Sequence, residues 1–227
     1  CALLCAAIRW LHETHPVHKR RATDVRSMLL GYLRMLGTGR FMACALPIAL
    51  GNAAAFSYQT EAPVLLIGQL HMRAAEYGVY AAMPALGFIA GGAITIRLAS
   101  RVSGDALIRA GCIVFVVAGS LMTLFGLIVG LHPLALVLPM MLFAFGNGLM
   151  LPSASVGAMN AMPMVIGASA ALSSAMRMGG GAMGSVIATG LPGHSGAWLG
   201  GVLAAMGLSA LLCRKLLSAS PHSPRSS

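Results

Sequence analysis

From Phe41 onward the chain alternates long apolar stretches with brief polar punctuation. The stretches have the length of membrane crossings, since a helix needs ~20 predominantly apolar residues to traverse a hydrocarbon core of ~30 Å. Runs at about 41–66 (or on to 70), 77–96, 106–131, 134–158, 164–191 and 197–212 meet or approach that requirement, which predicts six transmembrane helices. Pro47, Pro63, Pro84, Pro139 and Pro152 lie within or beside them. Each proline removes one i→i−4 bond, so kinked or broken helices are expected, as is a protein or water environment for the freed carbonyls. Broken helices occur as packing kinks and also along transport pathways.

Two of these runs, 146–190, form a predicted hairpin with an arginine, Arg177, deep in its second arm between Pro163 and Pro192. A central Arg costs roughly 2.5–3.5 kcal/mol on insertion scales, so it must face packed neighbours or a wet cavity. Helical spacing puts Ala170, Ser173, Ser174, Arg177, Gly180, Gly181, Gly184 and Ala188 on one stripe. Gly180-x-x-x-Gly184 is a close-approach signature for membrane helices. Arg177 therefore reads either as a cavity-lining group or as interhelical glue tied to carbonyls or to Glu61. Glu61 is the one acid inside an apolar span. It reads as a protonatable group or counter-charge for a cationic substrate, or as a carboxylate reaching the outer interface. Tyr58 lies near it on the helix. Asn147, at the middle of the fourth run, needs partners across helices or in a cavity.

The 41–217 segment is thus read as an all-α, polytopic transmembrane bundle. Composition agrees: of 227 residues 58% are hydrophobic and 9% charged, against about a quarter charged in soluble domains. The mean hydropathy is +0.84. A net charge of +10 would suggest nucleic acid in a soluble protein, but its placement argues against that partner. Apart from Arg73 and Arg177, the basic residues cluster at Arg9–Arg40, Arg97–Arg109 and Arg214–Arg225. With alternating spans these clusters share one side, the cytoplasmic side by the positive-inside rule, which predicts both ends of the chain inside.

The chain opens at Cys1 within an apolar run too short to span, and 1–11 reads as the end of a truncated transmembrane helix. A basic cytoplasmic connector, 12–40, follows; Val25, Leu29, Tyr32, Leu33 and Leu36 recur at helical spacing and predict a short interfacial helix. The tail at 218–227 is read as disordered.

Other chemistry is weakly supported. His12, His15 and His18 have a suggestive spacing, but Pro16 breaks the helix and Lys19, Arg20 and Arg21 repel a cation, so no metal is expected. Gly193-His194-Ser195-Gly196 resembles an intramembrane protease string, yet the following span carries no His to act as base. No catalytic residue is assigned and no enzyme or cofactor expected. Cys1, Cys5, Cys44, Cys112 and Cys213 lack paired spacing and read as free thiols.

Several motifs together resemble the major facilitator superfamily. Leu11-His12-Glu13-Thr14 is similar to the Leu-Pro-Glu-Thr closing the sixth helix of many members, with His12 in place of proline. Gly91-Gly92, Arg97-Leu98, Arg101, Gly104-Asp105 and Arg109 resemble the second cytoplasmic gating loop. Phe56-Ser57-Tyr58, Ala62-Pro63 and Tyr77-Gly78 resemble the start of the C-terminal half of the Bcr/CflA drug-resistance branch. The strongest likeness is Gly148, Leu151-Pro152, Gly157-Ala158-Met159, Gly167-Ala168-Ser169-Ala170, Met178 and Gly181-Ala182, in the predicted hairpin. Where that branch usually carries an uncharged polar residue, often Gln, this chain has Arg177.

The resemblance implies the C-terminal six-helix half of a major facilitator fold, two inverted three-helix repeats facing a missing N-terminal half. It also implies a bacterial inner-membrane transporter, with the bilayer, protons and a small-molecule substrate as partners. The expected activity is proton-coupled efflux of small hydrophobic or amphipathic drugs by alternating access. Arg177, Asn147, Glu61, Tyr58, Ser173 and Ser174 would line the pathway, Gly91, Gly92, Arg97, Arg101, Gly104, Asp105 and Arg109 would form the gating loop, and Gly180, Gly184 and Pro152 would pack helices. Uptake of a metabolite, or a complete six-span scaffold or enzyme, are the alternatives.

Overall fold

The computed structural model describes residues 25–161, 165–190 and 195–218, and the described residues fold into helices joined by short links. The readings at Cys1–Thr14, His12, His15, His18, Pro163, Pro192, His194 and the 219–227 tail lie outside them. In chain order the helices are α1 (Val25–Leu36), α2 (Gly39–Pro63), α3 (Ala74–Leu98), α4 (Gly104–Ile128), α5 (Pro133–Asn160), α6 (Ile166–Gly190) and α7 (Gly196–Ser218). Helix α2 runs on into a π-helical turn over Val64–Gln69, immediately after Pro63.

Five helices are long and apolar enough to cross a membrane: Gly39–Gln69, Ala74–Leu98, Gly104–Ile128, Pro133–Asn160 and Gly196–Leu217. Helix α6 also has 25 residues, about 37 Å at 1.5 Å per residue, but stands outside that group. Arg177 and the Gly and Ser around it dilute its apolar character, so length rather than hydropathy marks it.

Pro47 and Pro63 lie inside the assigned span of α2, Pro84 inside α3, and Pro139 and Pro152 inside α5. None interrupts its helix; the expected breaks reduce, among the described residues, to the π turn after Pro63. At the reversal between α4 and α5, Gly130 has φ +73, a left-handed conformation that costs glycine little, whereas between α2 and α3 it is His71 that takes a positive φ of 53. Ser103 and His132 cap α4 and α5 by accepting from Ala106 N–H and Leu134 N–H.

The helices pack in three main pairs, α2 with α6, α3 with α5, and α4 with α7, while α5 also packs on α4, and α7 on α2. Close approaches fix the register of each. A methyl added to Gly180 or Gly184 of α6 would collide with the carbonyls of Ala49 or Ala53 on α2. One added to Gly87 or Gly91 of α3 would collide with those of Met141 or Phe145 on α5. Numbers rise together in both seams, so both pairs are parallel. In the third pair Gly119 meets Ala204, Thr123 meets Gly200 and Gly126 meets Ala197, an antiparallel crossing.

These contacts share one symmetry. Exchanging α2, α3 and α4 for α5, α6 and α7 turns the α3–α5 seam into the α6–α2 seam and maps α4–α7 onto itself. Pro47 on α2 then corresponds to Pro139 on α5, both buried. The described helices thus form two similar three-helix units, the arrangement of a repeat.

A hydroxyl closes each parallel seam. Ser57 Oγ donates to Gly184 O at 2.8 Å, and Thr95 Oγ1 reaches Leu149 O at 3.1 Å. Lipid supplies no hydrophobic drive between helices, so such bonds and tight packing hold them together. The apolar core gathers where α2, α4 and α5 meet, with Phe115 and Phe143 stacked at 4.1 Å and Cys112, Met122 and Met150 fully enclosed.

One end of the bundle collects Arg40, Arg97, Arg101, Arg109 and Lys215; this is the basic end, with Glu61 and Arg73 toward the other. There α1 docks through Met35, which is 4% exposed, and leaves Leu30 and Leu33 open.

Candidate functional site

The α2–α6 seam carries the polar groups. On α2, Ala49, Ala53, Ser57 and Thr60 recur at helical spacing and face the Gly180–Ala188 stripe of α6. Thr60 Oγ1 bonds Ser185 Oγ at 3.1 Å, and Asn52 Nδ2 donates to Arg177 O at 2.8 Å. Asn52, Ser57 and Thr60 had no part in a site assigned from the sequence, Ser57 entering only in the Phe56-Ser57-Tyr58 resemblance, although the small-and-hydroxyl spacing on α2 mirrors that on α6.

Arg177 lies in the middle of the face α6 turns to α2, between Ser173 and Gly180. Above it the helices touch through Gly180 and Gly184, leaving no room for a long side chain. Helical side chains leave the backbone leaning toward the N-terminus, which for α6 is the basic end. Arg177 is half-buried, and its Nε is buried with no hydrogen-bond partner among the described residues.

Contact register decides whether Glu61 can pair with it. Gly180 is level with Ala49, so Arg177 sits one turn nearer the basic end than Ala49, whereas Glu61 lies several turns the other way. At 1.5 Å per residue the axial separation is roughly 20 Å, beyond the combined reach of both side chains. The Arg177–Glu61 glue reading is therefore excluded. Glu61 itself is 6% exposed, which also removes the reading of a carboxylate open to outer-leaflet water.

Tyr58 is buried in the apolar core. Asn147 is half-buried on α5 between Gly146, which packs on α4, and Gly148, which packs on α3. Gly51 meets the Met150 methyl and Gly157 meets the Cys44 sulfur. That register puts Asn147 level with the middle of α2, between Arg177 and Glu61. The three polar groups occupy successive depths roughly 10 Å apart and do not converge on one point.

Ser173 is half-buried with its Oγ donating to Ala170 O at 3.0 Å; Ser174 is exposed at the edge of the stripe. Gly180 and Gly184 pack against α2, whereas Pro152, expected at a helix contact, is exposed.

Around the link between α3 and α4, Arg97 in the last turn of α3, Arg101 in the link and Arg109 on α4 are exposed, while Gly91 is buried in the α3–α5 seam and Gly92 half-buried beside it. Gly104 and Asp105 open α4. Asp105 is tied down: its Oδ1 accepts from Arg214 Nη2 at 2.6 Å, and its carbonyl from the same nitrogen at 3.1 Å. Arg214, on α7, is 4% exposed, with Nε and Nη1 buried and unpartnered among the described residues. This latch between α4 and α7 joins two distant charges and had no sequence signal beyond their opposite signs.

Fold and seam together define a polytopic, all-helical membrane protein with polar groups at several depths in its interior. The chain is 28% identical over 220 residues to Multidrug resistance protein D of Escherichia coli (strain K12), covering 93% of this chain and 53% of that protein. It thus spans about half the length of the curated relative it matches. This similarity supports the resemblance to major facilitator transporters. No family model matches the chain.

Proposed function

We propose that the chain is the C-terminal six-helix half of a major facilitator transporter of the Bcr/CflA type, exporting small hydrophobic or amphipathic drugs in exchange for protons. The observation that carries this reading is the pairing of α2–α6 with α3–α5 as symmetry-related parallel seams, in a chain similar along 93% of its length to a multidrug resistance protein. Inverted repeats around a midplane site are the architecture that lets one bundle rock against another.

On this reading the basic end is cytoplasmic, because Arg40, Arg97, Arg101, Arg109 and Lys215 gather there. The α3–α4 loop, anchored by the Asp105–Arg214 latch, helps close the inner gate through Arg97, Arg101 and Arg109. Arg177 and Asn147 line the route, with Ser173 beside Arg177. Tyr58 and Glu61 act from within the bundle, Tyr58 by packing and Glu61 as a buried carboxylate. The faces of α3 and α6 that leave Val79, Leu86, Ile89, Met183 and Val186 exposed meet the partner half and lipid.

The test is drug susceptibility and dye efflux in a bacterium lacking its own major pumps, expressing the complete natural protein. The reading expects raised resistance to amphipathic compounds and dye efflux abolished by a protonophore. Accumulation unchanged from the empty vector across a broad panel would overturn it.

A further inference from the structure

We propose that Arg177 makes this transporter selective for amphipathic anions: compounds with a carboxylate, sulfonate or phosphate head on an apolar body. This rests on the transporter reading and names the substrate class of the same site.

The first support is charge accounting. The acids among the described residues are Glu61, Glu76 and Asp105. Glu76 is held by Arg73 at 2.7 Å, and Asp105 by Arg214 at 2.6 Å. Glu61 is out of reach of Arg177, roughly 20 Å along the bundle. The seam thus brings a guanidinium into the interior with no carboxylate of the described helices beside it.

The second support is hydrogen bonding. Arg177 Nε is buried with no hydrogen-bond partner among the described residues, and a buried donor without an acceptor is costly. An anion offers acceptors in the fork geometry that a guanidinium matches with two parallel bonds.

The third is rigidity. Asn52 fixes the Arg177 carbonyl at 2.8 Å, and the contacts at Gly180 and Gly184 lock the helix above it. The guanidinium is therefore presented from a braced backbone. Asn147, half-buried at the next depth, offers an amide to a neutral polar substituent.

The complete natural protein in proteoliposomes is given three dyes of similar size: a naphthalene sulfonate, a phenanthridinium cation and a neutral naphthalene. The unmodified protein should move the sulfonate in clear preference to the cation. Arg177→Gln should slow the sulfonate about tenfold, the equivalent of one charge-assisted hydrogen bond, and leave the neutral dye within about twofold. Arg177→Lys should keep part of the sulfonate flux, since it retains charge but not the fork.

Ser173→Asp, one turn before Arg177 on the same face, supplies an acid in place of the substrate. It should slow the sulfonate as Arg177→Gln does, and it carries the test if that variant fails to fold. Equal effects of these variants on all three dyes would overturn the anion assignment while leaving a transporter. No flux of any dye through the unmodified protein would overturn the transporter reading itself.

Discussion

Adding one methyl at four glycines tests the helix register on which the site depends. Gly184→Ala and Gly91→Ala place a Cβ against the carbonyls of Ala53 and Phe145, in the two symmetry-related seams. Gly179→Ala and Gly92→Ala, nearby on the same helices, meet nothing within 4 Å. A carbonyl in a helix cannot swing aside, so each clashing methyl must push two helices apart. Overpacking of this kind costs about 1–3 kcal/mol. At Gly184 the separation also stretches the 2.8 Å bond from Ser57, worth about 0.6 kcal/mol in membrane proteins and up to ~1.7. The expected loss is about 2–4 kcal/mol, or about 4–16 °C in melting temperature for a chain of this size.

The open positions should be neutral or slightly stabilised, because Ala is up to ~1 kcal/mol better than Gly in a helix. Thermal unfolding of the purified protein in detergent, followed by scanning fluorimetry, separates the two pairs. The twofold relation adds that Gly91→Ala and Gly184→Ala should fall by similar amounts. If all four variants melt together, the parallel seams are wrong and so is the placement of Arg177.

Three further outcomes follow. Asp105→Asn should cost about 1–2 kcal/mol, less than a fully buried pair because Asp105 is largely exposed. Adding Arg214→Met should recover part of that loss in a double-mutant cycle by thermal shift, since it removes a charge left buried and uncompensated. Ser57→Ala should cost roughly 0.6–1.7 kcal/mol in the same assay, and more than Ser174→Ala, whose side chain is exposed. Under native conditions a maleimide should modify Cys213 well before Cys44 and Cys112, the buried thiols, as read by peptide mass mapping; equal rates for all three would contradict the core.

The rough bounds of the long helices were legible because membrane crossings write themselves as apolar length, most plainly in the five that are apolar enough to cross a membrane. The Gly180–Gly184 contact was legible too, since small residues one turn apart have few other uses in a lipid-facing helix. Register between helices was not. Whether Arg177 could reach Glu61 depended on which turn of α2 lies beside Gly180, a tertiary fact with no local signature. The π turn after Pro63 and the Arg214–Asp105 latch escaped for related reasons. The first is a backbone accommodation that many apolar sequences could adopt. The second joins charges on helices that only the fold brings together. The prolines misled in the other direction: they mark places where a helix can break, yet the helices run on through Pro47, Pro84, Pro139 and Pro152.

What separates this bundle from its sequence portrait is the distribution of its polar groups. A single binding point would gather Arg177, Asn147 and Glu61 at one depth. Instead they are spaced along α2, Arg177 toward the basic end and Glu61 toward the other. Such spacing suits a route with an anion-attracting lower part and a buried carboxylate above it.

The central claim, that this chain forms half of a proton-driven exporter, is tested most directly by flux. The complete natural protein is reconstituted into liposomes and a pH gradient imposed while an amphipathic dye is followed inside. The account predicts dye movement driven by the gradient and abolished by a protonophore. Flux indistinguishable from protein-free liposomes, with the gradient intact, would contradict it.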